Sequence, residues 1–399
     1  MQSSLPLLIL SLVIGLFMLN ALAYYSRKLM LFPDIIWILI LGLVYGFISL
    51  YQSDYLPQVS LDADLILFAF VPLLIFASTQ KICLYHFRRI LPQATLIATL
   101  GIVISTTIIA VPLFYIFNIG WLEASLFGII ISATDPLAVG ALLQGNTNIK
   151  ESQKLLIEGE SILNDGFVVT IYGVFTVLLF SNTDFNLLQS GFAFIEHILG
   201  ALLLGVLMGR LGRWLLDKWH EEHFTLTVNM TLAVAYGSFF FGEVLGLSGI
   251  LAVFSSALAF GYRPKTKGQD NDIHNHIWEY LEYVTNAVLF FMLGASFFVY
   301  FSAEYISLAL TLALLLLLVL SRLGGLAVLY PIVEIDGKKL TQKEFWLLNF
   351  SGARGAVSIA LTLLLPEDFV LKPMFISLAL IMIFASLVVY PLLVKKIVN

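Results

Sequence analysis

A chain of 399 residues with 60% hydrophobic and 12% charged residues and a mean hydropathy of +0.96 is excluded from the soluble globules, in which about a quarter of residues are charged. These figures describe a polytopic membrane protein. The net charge of −5 carries little weight where basic residues serve topology, and Cys83, the one cysteine, excludes an internal disulfide and a cysteine-built metal site.

A hydropathy window of about 19 residues predicts thirteen spans, near 5–23, 31–50, 63–79, 91–117, 121–144, 152–180, 189–216, 223–241, 243–261, 277–299, 304–331, 344–365 and 373–394. The first has no basic residues before it and no small-residue cleavage site, so it is expected as a retained helix and not a signal peptide. Lys and Arg gather on the cytoplasmic side of a membrane. Here they follow every odd-numbered span: Arg27 and Lys28; Lys81, Arg88 and Arg89; Lys150 and Lys154; Arg210, Arg213 and Lys218; Arg263, Lys265 and Lys267; Lys338, Lys339 and Lys343; Lys395 and Lys396. The opposite loops carry Lys372 alone. The expected topology has the N-terminus outside and the C-terminus in the cytoplasm, with no loop large enough to fold as a soluble domain and no regulatory tail after Asn399.

The fifth span contains Ser132-Ala133-Thr134-Asp135-Pro136. Pro136 has no amide hydrogen, which deprives the Ser132 carbonyl of its helical donor and offers it, beside Asp135, to a cation. Taken alone, the same residues also describe a proline kink with a solvated Asp near a helix end. The sixth span contains Glu158-Gly159-Glu160-Ser161-Ile162-Leu163-Asn164-Asp165-Gly166. Four-residue spacing stacks Ser161 over Asp165 and Glu160 over Asn164, with Glu158 on the Ser161 side. Hydroxyl, amide and carboxylate oxygens at this density can replace part of the hydration shell of a small hard cation. Ionised carboxylates in a bilayer are costly unless a cation meets them.

Arg322 falls inside the eleventh span and Arg354 inside the twelfth, within Ser351-Gly352-Ala353-Arg354-Gly355-Ala356-Val357-Ser358. Small residues there let another backbone approach, and Arg354 is expected to pair with buried Glu160 as a structural clamp. The histidines His86, His197, His220, His223, His274 and His276 fall near span ends or in loops, where they are read as solvated residues. There is no phosphate-cradling Gly-x-x-x-x-Gly-Lys-Ser/Thr string, and no His-Glu-x-x-His motif. A nucleotide-driven pump and an intramembrane metallohydrolase therefore lack support. A cation channel would use similar oxygens, but it commonly builds its filter from repeated subunits.

Thr134-Asp135-Pro136, the Glu158 to Asp165 string, and Gly352-Ala353-Arg354-Gly355-Ala356, in that order and spacing, resemble the NhaP-type sodium/proton antiporters and their eukaryotic exchanger relatives. Gly246 to Val253, and Trp278-Glu279 through Asn286 to Gly294, are weaker echoes. The resemblance implies an all-α polytopic membrane fold with inverted repeats (helices 1–6 and 8–13). It also implies a six-helix transport core with broken helices and a dimerisation domain. On this chain 1–90 and 181–300 would supply the dimer side, and 91–180 and 301–399 the core.

The implied cation and proton site is Asp135, Asp165, the Ser161 hydroxyl and the Thr134 carbonyl. Asn164, Glu158 and Pro136 would support it, and Glu160, Arg354 and Arg322 would form the ion-pair framework. Many relatives carry a glutamate just after the third-span Pro-x-x-Leu/Ile-Phe pattern; Pro72 to Phe76 is followed here by Ala77, which leaves water, Ser78 or Thr79 to substitute. The expected function is not enzymatic. It is secondary antiport of Na⁺ or Li⁺, alternatively K⁺, against H⁺, through competition for Asp165, electroneutral as the Asn164-Asp165 pair implies. The expectations extend to no cofactor, no nucleotide, no nucleic acid, a homodimer, and a prokaryotic plasma membrane.

Overall fold

The computed structural model describes residues 34–51, 58–80, 84–135, 149–180, 187–219, 224–261, 271–302 and 307–398, together with residues 21, 56, 82, 139, 140 and 143. The first predicted span, apart from Ala21, lies outside these residues, as does Pro136. Helix α1 is Asp34–Tyr51; a π-helical turn, Leu65–Phe70, leads into α2, Val71–Gln80. Next come α3, Leu84–Phe117; α4, Trp121–Ser132; α5, Glu151–Phe180; α6, Leu187–Trp219; and α7, Phe224–Val244. They are followed by α8, Gly249–Gly261; α9, Asn271–Tyr300; and α10, Leu308–Leu329. A hairpin of β1, Glu334–Ile335, and β2, Lys338–Lys339, leads to α11, Gln342–Ser351; α12, Ala356–Leu363; and α13, Lys372–Val398.

Each predicted span from the second onward contains a described helix, and six of the helices are long and apolar enough to cross a bilayer. The twelfth, expected as one helix over 344–365, is instead two, parted at Gly352–Gly355. Its entry is specified locally: Thr341 accepts the Glu344 backbone N–H, and Glu344 accepts that of Thr341, a reciprocal cap. The preceding hairpin turns at Asp336 and Gly337 with φ of 54° and 72°. Two left-handed residues in a two-residue loop match the twist of the flanking strands.

Close helix crossings depend on glycine. A Cβ on Gly42 of α1 would collide with the Phe291 carbonyl of α9 and one on Gly46 with that of Ala295, and one on Gly209 of α6 would collide with Ser256 and Ala259 of α8. Without a hydrophobic drive between helices in lipid, such backbone approach supplies the van der Waals contact that joins them. The π-helical turn before Pro72 leaves main-chain carbonyls out of register, and the Tyr236 hydroxyl of α7 donates to that of Ala69 at 2.6 Å.

Helix α3 is the strut of the other half of the molecule: α4, α5 and α10 all pack on it, with the Ser105 hydroxyl donating to the Ser321 carbonyl of α10. At the N-terminal end of α5, Ser152 donates to Asp336 and Gln153 to Glu344, both at 2.7 Å, tying α5 to the hairpin and α11.

Lys372, the single basic residue in the loops opposite the positive ones, has a local purpose. Its buried Nζ donates to the carbonyls of Leu363 (2.9 Å) and Leu365 (2.5 Å) at the C-terminal end of α12, and to Glu367 Oε1 (2.8 Å). Glu367 is 95% exposed, so the ion pair is solvent-screened and the carbonyl caps carry the contribution. Lys372→Met is therefore expected to destabilise the protein by about 1–3 kcal/mol, while Glu367→Gln changes stability little; thermal unfolding of the purified variants checks both.

Candidate ion-binding site at a helix crossing

Helix α4 stops at Ser132 and the chain runs extended through Ala133 (φ −58°, ψ 135°) to Asp135. Pro136 has no N–H for the Ser132 carbonyl, and the residue before a proline is disfavoured in the helical region, which accounts for the chain leaving the helix ahead of Asp135. Helix α11 stops at Ser351, and Gly352 (φ −90°, ψ 60°) and Gly355 (φ −137°, ψ −155°) carry the chain extended into α12. The two extended segments cross as an isolated antiparallel bridge between Asp135 and Ala353, with the Asp135 N–H donating to the Ala353 carbonyl at 2.6 Å.

Each segment supplies the charge that the other's helix end lacks. The last carbonyls of a helix carry partial negative charge and its first N–H groups partial positive charge. Arg354 Nη1 donates to the carbonyls of Ser132 (2.8 Å) and Ala133 (3.3 Å) at the end of α4, and the Ser358 hydroxyl donates to that of Ile130 (2.7 Å). Asp135 lies against Gly355 at the start of α12, so closely that a Cβ there would overlap its carboxylate. The residue types of the twelfth span follow from this geometry, since only glycine admits the acid. Gly352 likewise admits the Arg322 guanidinium, whose Nε would lie 2.9 Å from an added Cβ.

Three corrections to the sequence reading result. Glu160 pairs with Arg322 and not with Arg354: Nη1 to Oε1 is 2.8 Å and Nη2 to Oε2 is 2.9 Å, a bidentate fork with both residues buried. The reason is that Arg354 is committed to the end of α4, whereas Arg322 reaches Glu160 from α10 and also donates to the Leu348 carbonyl (3.3 Å). The Ser132 carbonyl, expected to be open to a cation, is occupied by Arg354. The third correction is the break in the twelfth span.

The structure does bring together Thr134, Asp135, Ser161 and Asp165. The Ser161 hydroxyl of α5 donates to the Thr134 carbonyl at 2.5 Å, and Asp165, one turn on, has the Thr134 backbone and the Asp135 and Glu160 carboxylates as its electrostatic neighbours. Asp165 is half-buried and Asp135 9% exposed. Asp165 Oδ1, Asn164 Oδ1 and Thr134 Oγ1 are enclosed without hydrogen-bond partners among the described residues. Such orphaned oxygens are rare in folded proteins and have the chemistry to coordinate a small hard cation. Glu158 is half-buried on the same face of α5. In α2, Ala77 is fully buried, the Ser78 hydroxyl donates to its own helix at Leu74 (3.0 Å) and Ile75 (3.1 Å), and Thr79 Oγ1 is buried without a partner.

Residues 10–399 match the family described as sodium/hydrogen exchanger, transmembrane. The chain belongs to the sodium/hydrogen exchanger family. Its members are transporters and not enzymes, and cation/proton exchange across a membrane is the activity of this class. The exchanger is 26% identical to the Na(+)/H(+) antiporter NhaH of Halobacillus aidingensis over 93% of both chains. It is 29% identical to sodium/hydrogen exchanger 7 of Arabidopsis thaliana over 83% of this chain and 30% of that longer one. Its fold matches the sodium proton antiporter MjNhaP1 of Methanocaldococcus jannaschii with a TM-score of 0.74 at 19% identity, covering 98% of this chain and 96% of that one.

The pairing of Glu160 is open to a double-mutant cycle. Breaking a buried pair strands one charge, so Glu160→Gln and Arg322→Met are each expected to cost about 3–5 kcal/mol, while the double variant costs much less than their sum. The same cycle with Arg354→Met in place of Arg322→Met should give a smaller coupling; thermal unfolding of the purified proteins measures both.

Proposed function

We propose that this exchanger moves Na⁺, or Li⁺, in one direction and H⁺ in the other, one for one, with both ions competing for Asp165. The observation that carries this reading is the half-buried Asp165 carboxylate, one oxygen unpartnered, set beside Ser161, the Thr134 carbonyl and Asp135 where the two broken helices cross. A bound cation or a bound proton neutralises the same carboxylate, so either loaded form can pass through a low-dielectric barrier that the empty, charged form cannot. Mutual exclusion at one carboxylate couples the two fluxes. The relatives described as Na(+)/H(+) antiporters support Na⁺ as the cation. Asp135, anchored by its backbone to Ala353, is the second carboxylate ligand; Asn164, Glu158 and Pro136 support the site.

The moving body in this proposal is the assembly around α3: α4, α5, and α10 through α13. The remaining helices form the stationary, dimer-forming side of a homodimer with thirteen spans and inverted repeats. The N-terminus lies outside and the C-terminus in the cytoplasm, in a prokaryotic plasma membrane. Access alternates as the core moves against that side.

Proteoliposomes with an imposed pH gradient test the proposal. The wild-type protein is expected to dissipate the gradient on addition of Na⁺, Asp165→Asn to lose that activity, and an imposed voltage to leave the initial rate unchanged. Dissipation that survives in Asp165→Asn would reject the competition at this carboxylate, and a voltage-dependent rate would reject one-for-one exchange.

A further inference from the structure

Arg354 is satisfied on one side only. Its Nη1 is bound to the Ser132 and Ala133 carbonyls, but Nε and Nη2 have no partner among the described residues, and the side chain is 1% exposed. Tyr390 of α13 is in the same condition: 1% exposed, with an unpartnered hydroxyl. The two are neighbours by geometry. Ser386, one turn before Tyr390, accepts the Arg354 backbone N–H at 2.9 Å. The Tyr390 ring meets Phe350, near the end of α11 and four residues before Arg354, edge-on at 5.6 Å. The phenol and the guanidinium also lie within each other's electrostatic reach. Arg322 also lies in the phenol's electrostatic reach, but its fork is spent on Glu160 and its Nε, likewise without a partner among the described residues, lies against Gly352. The two orphaned Arg354 donors and the orphaned hydroxyl have a short remedy, because a hydroxyl can turn to accept and a water can bridge what remains.

We propose that Tyr390 is a positioning residue for ion binding. Its hydroxyl, directly or through one bound water, completes the Arg354 guanidinium and holds Nη1 on the carbonyls of Ser132 and Ala133. Those carbonyls immediately precede Thr134 and Asp135, so α13 sets the geometry of two ion ligands that it does not touch. The inference rests on the proposed ion site at Thr134, Asp135, Ser161 and Asp165.

Tyr390→Phe removes the hydroxyl and keeps the ring on Phe350. In proteoliposomes its KM for Na⁺ is expected to rise about three- to tenfold, the scale of one ordinary lost hydrogen bond, with Vmax within about twofold of wild type and an unchanged thermal midpoint. Tyr390→Leu, which also loses the ring, should lower the thermal midpoint, which separates packing from the hydroxyl. A wild-type KM in Tyr390→Phe, or a loss of Vmax at unchanged KM, would overturn the proposal. Asp165→Asn in the same assay distinguishes the two levels: if it still exchanges Na⁺, the ion site is wrong, and if it is inactive while Tyr390→Phe is wild type, only the role of Tyr390 is.

Discussion

Two helices that stop inside a membrane protein leave partial charges at their ends, and the rest of this structure is arranged around neutralising them. Helix α4 ends in carbonyls and α12 begins with N–H groups within one crossing, and each is met by an ionisable residue from the opposite extended segment, Arg354 and Asp135. In lipid no solvent shares this task, so an unwound segment persists only where protein groups or a watery cavity satisfy it. The exchange of partners across the bridge also explains why the crossing is tight, since Arg354 and Asp135 reach their targets only if the two backbones touch.

The two buried arginines divide the work according to what they face. Arg322 meets a full negative charge and forms a bidentate pair with Glu160. Among the described residues Arg354 hydrogen-bonds only main-chain carbonyls and keeps unpartnered N–H groups. Buried pairs are poor sources of net stability but costly to break, which suits a clamp that fixes α5 against α10. With Glu160 neutralised in this way, Asp135 and Asp165 are left as the carboxylates of the proposed ion site, beside oxygens without a partner among the described residues.

Much of this was legible in the residues. Hydropathy located the helical segments, because apolar runs of bilayer length have few other fates. The spacing of Ser161 and Asp165 put both on one helix face, and Pro136 announced a break just before it, which falls after Ser132. The small residues around Arg354 announced a close backbone approach, and Gly352 and Gly355 do admit Arg322 and Asp135. The second break was not legible, since Gly352 to Ala356 is apolar and small enough to read as continuous helix. Nor was the choice of partner for Glu160: both arginines sit in apolar surroundings more than 160 residues away in the chain, and nothing local distinguishes them. Lys372 likewise read as an exception to charge topology until the end of α12 stood beside it.

By itself the sequence determined class, the approximate positions of the helices, and the string of oxygens that an ion could use, because periodicity, hydropathy and proline act within a few residues. Only the tertiary structure decided which charge meets which. Pairing across the crossing depends on where two distant helix ends come to rest, and in a low-dielectric interior the energy of a charge is set by the groups within a few ångströms of it, whatever their distance along the chain.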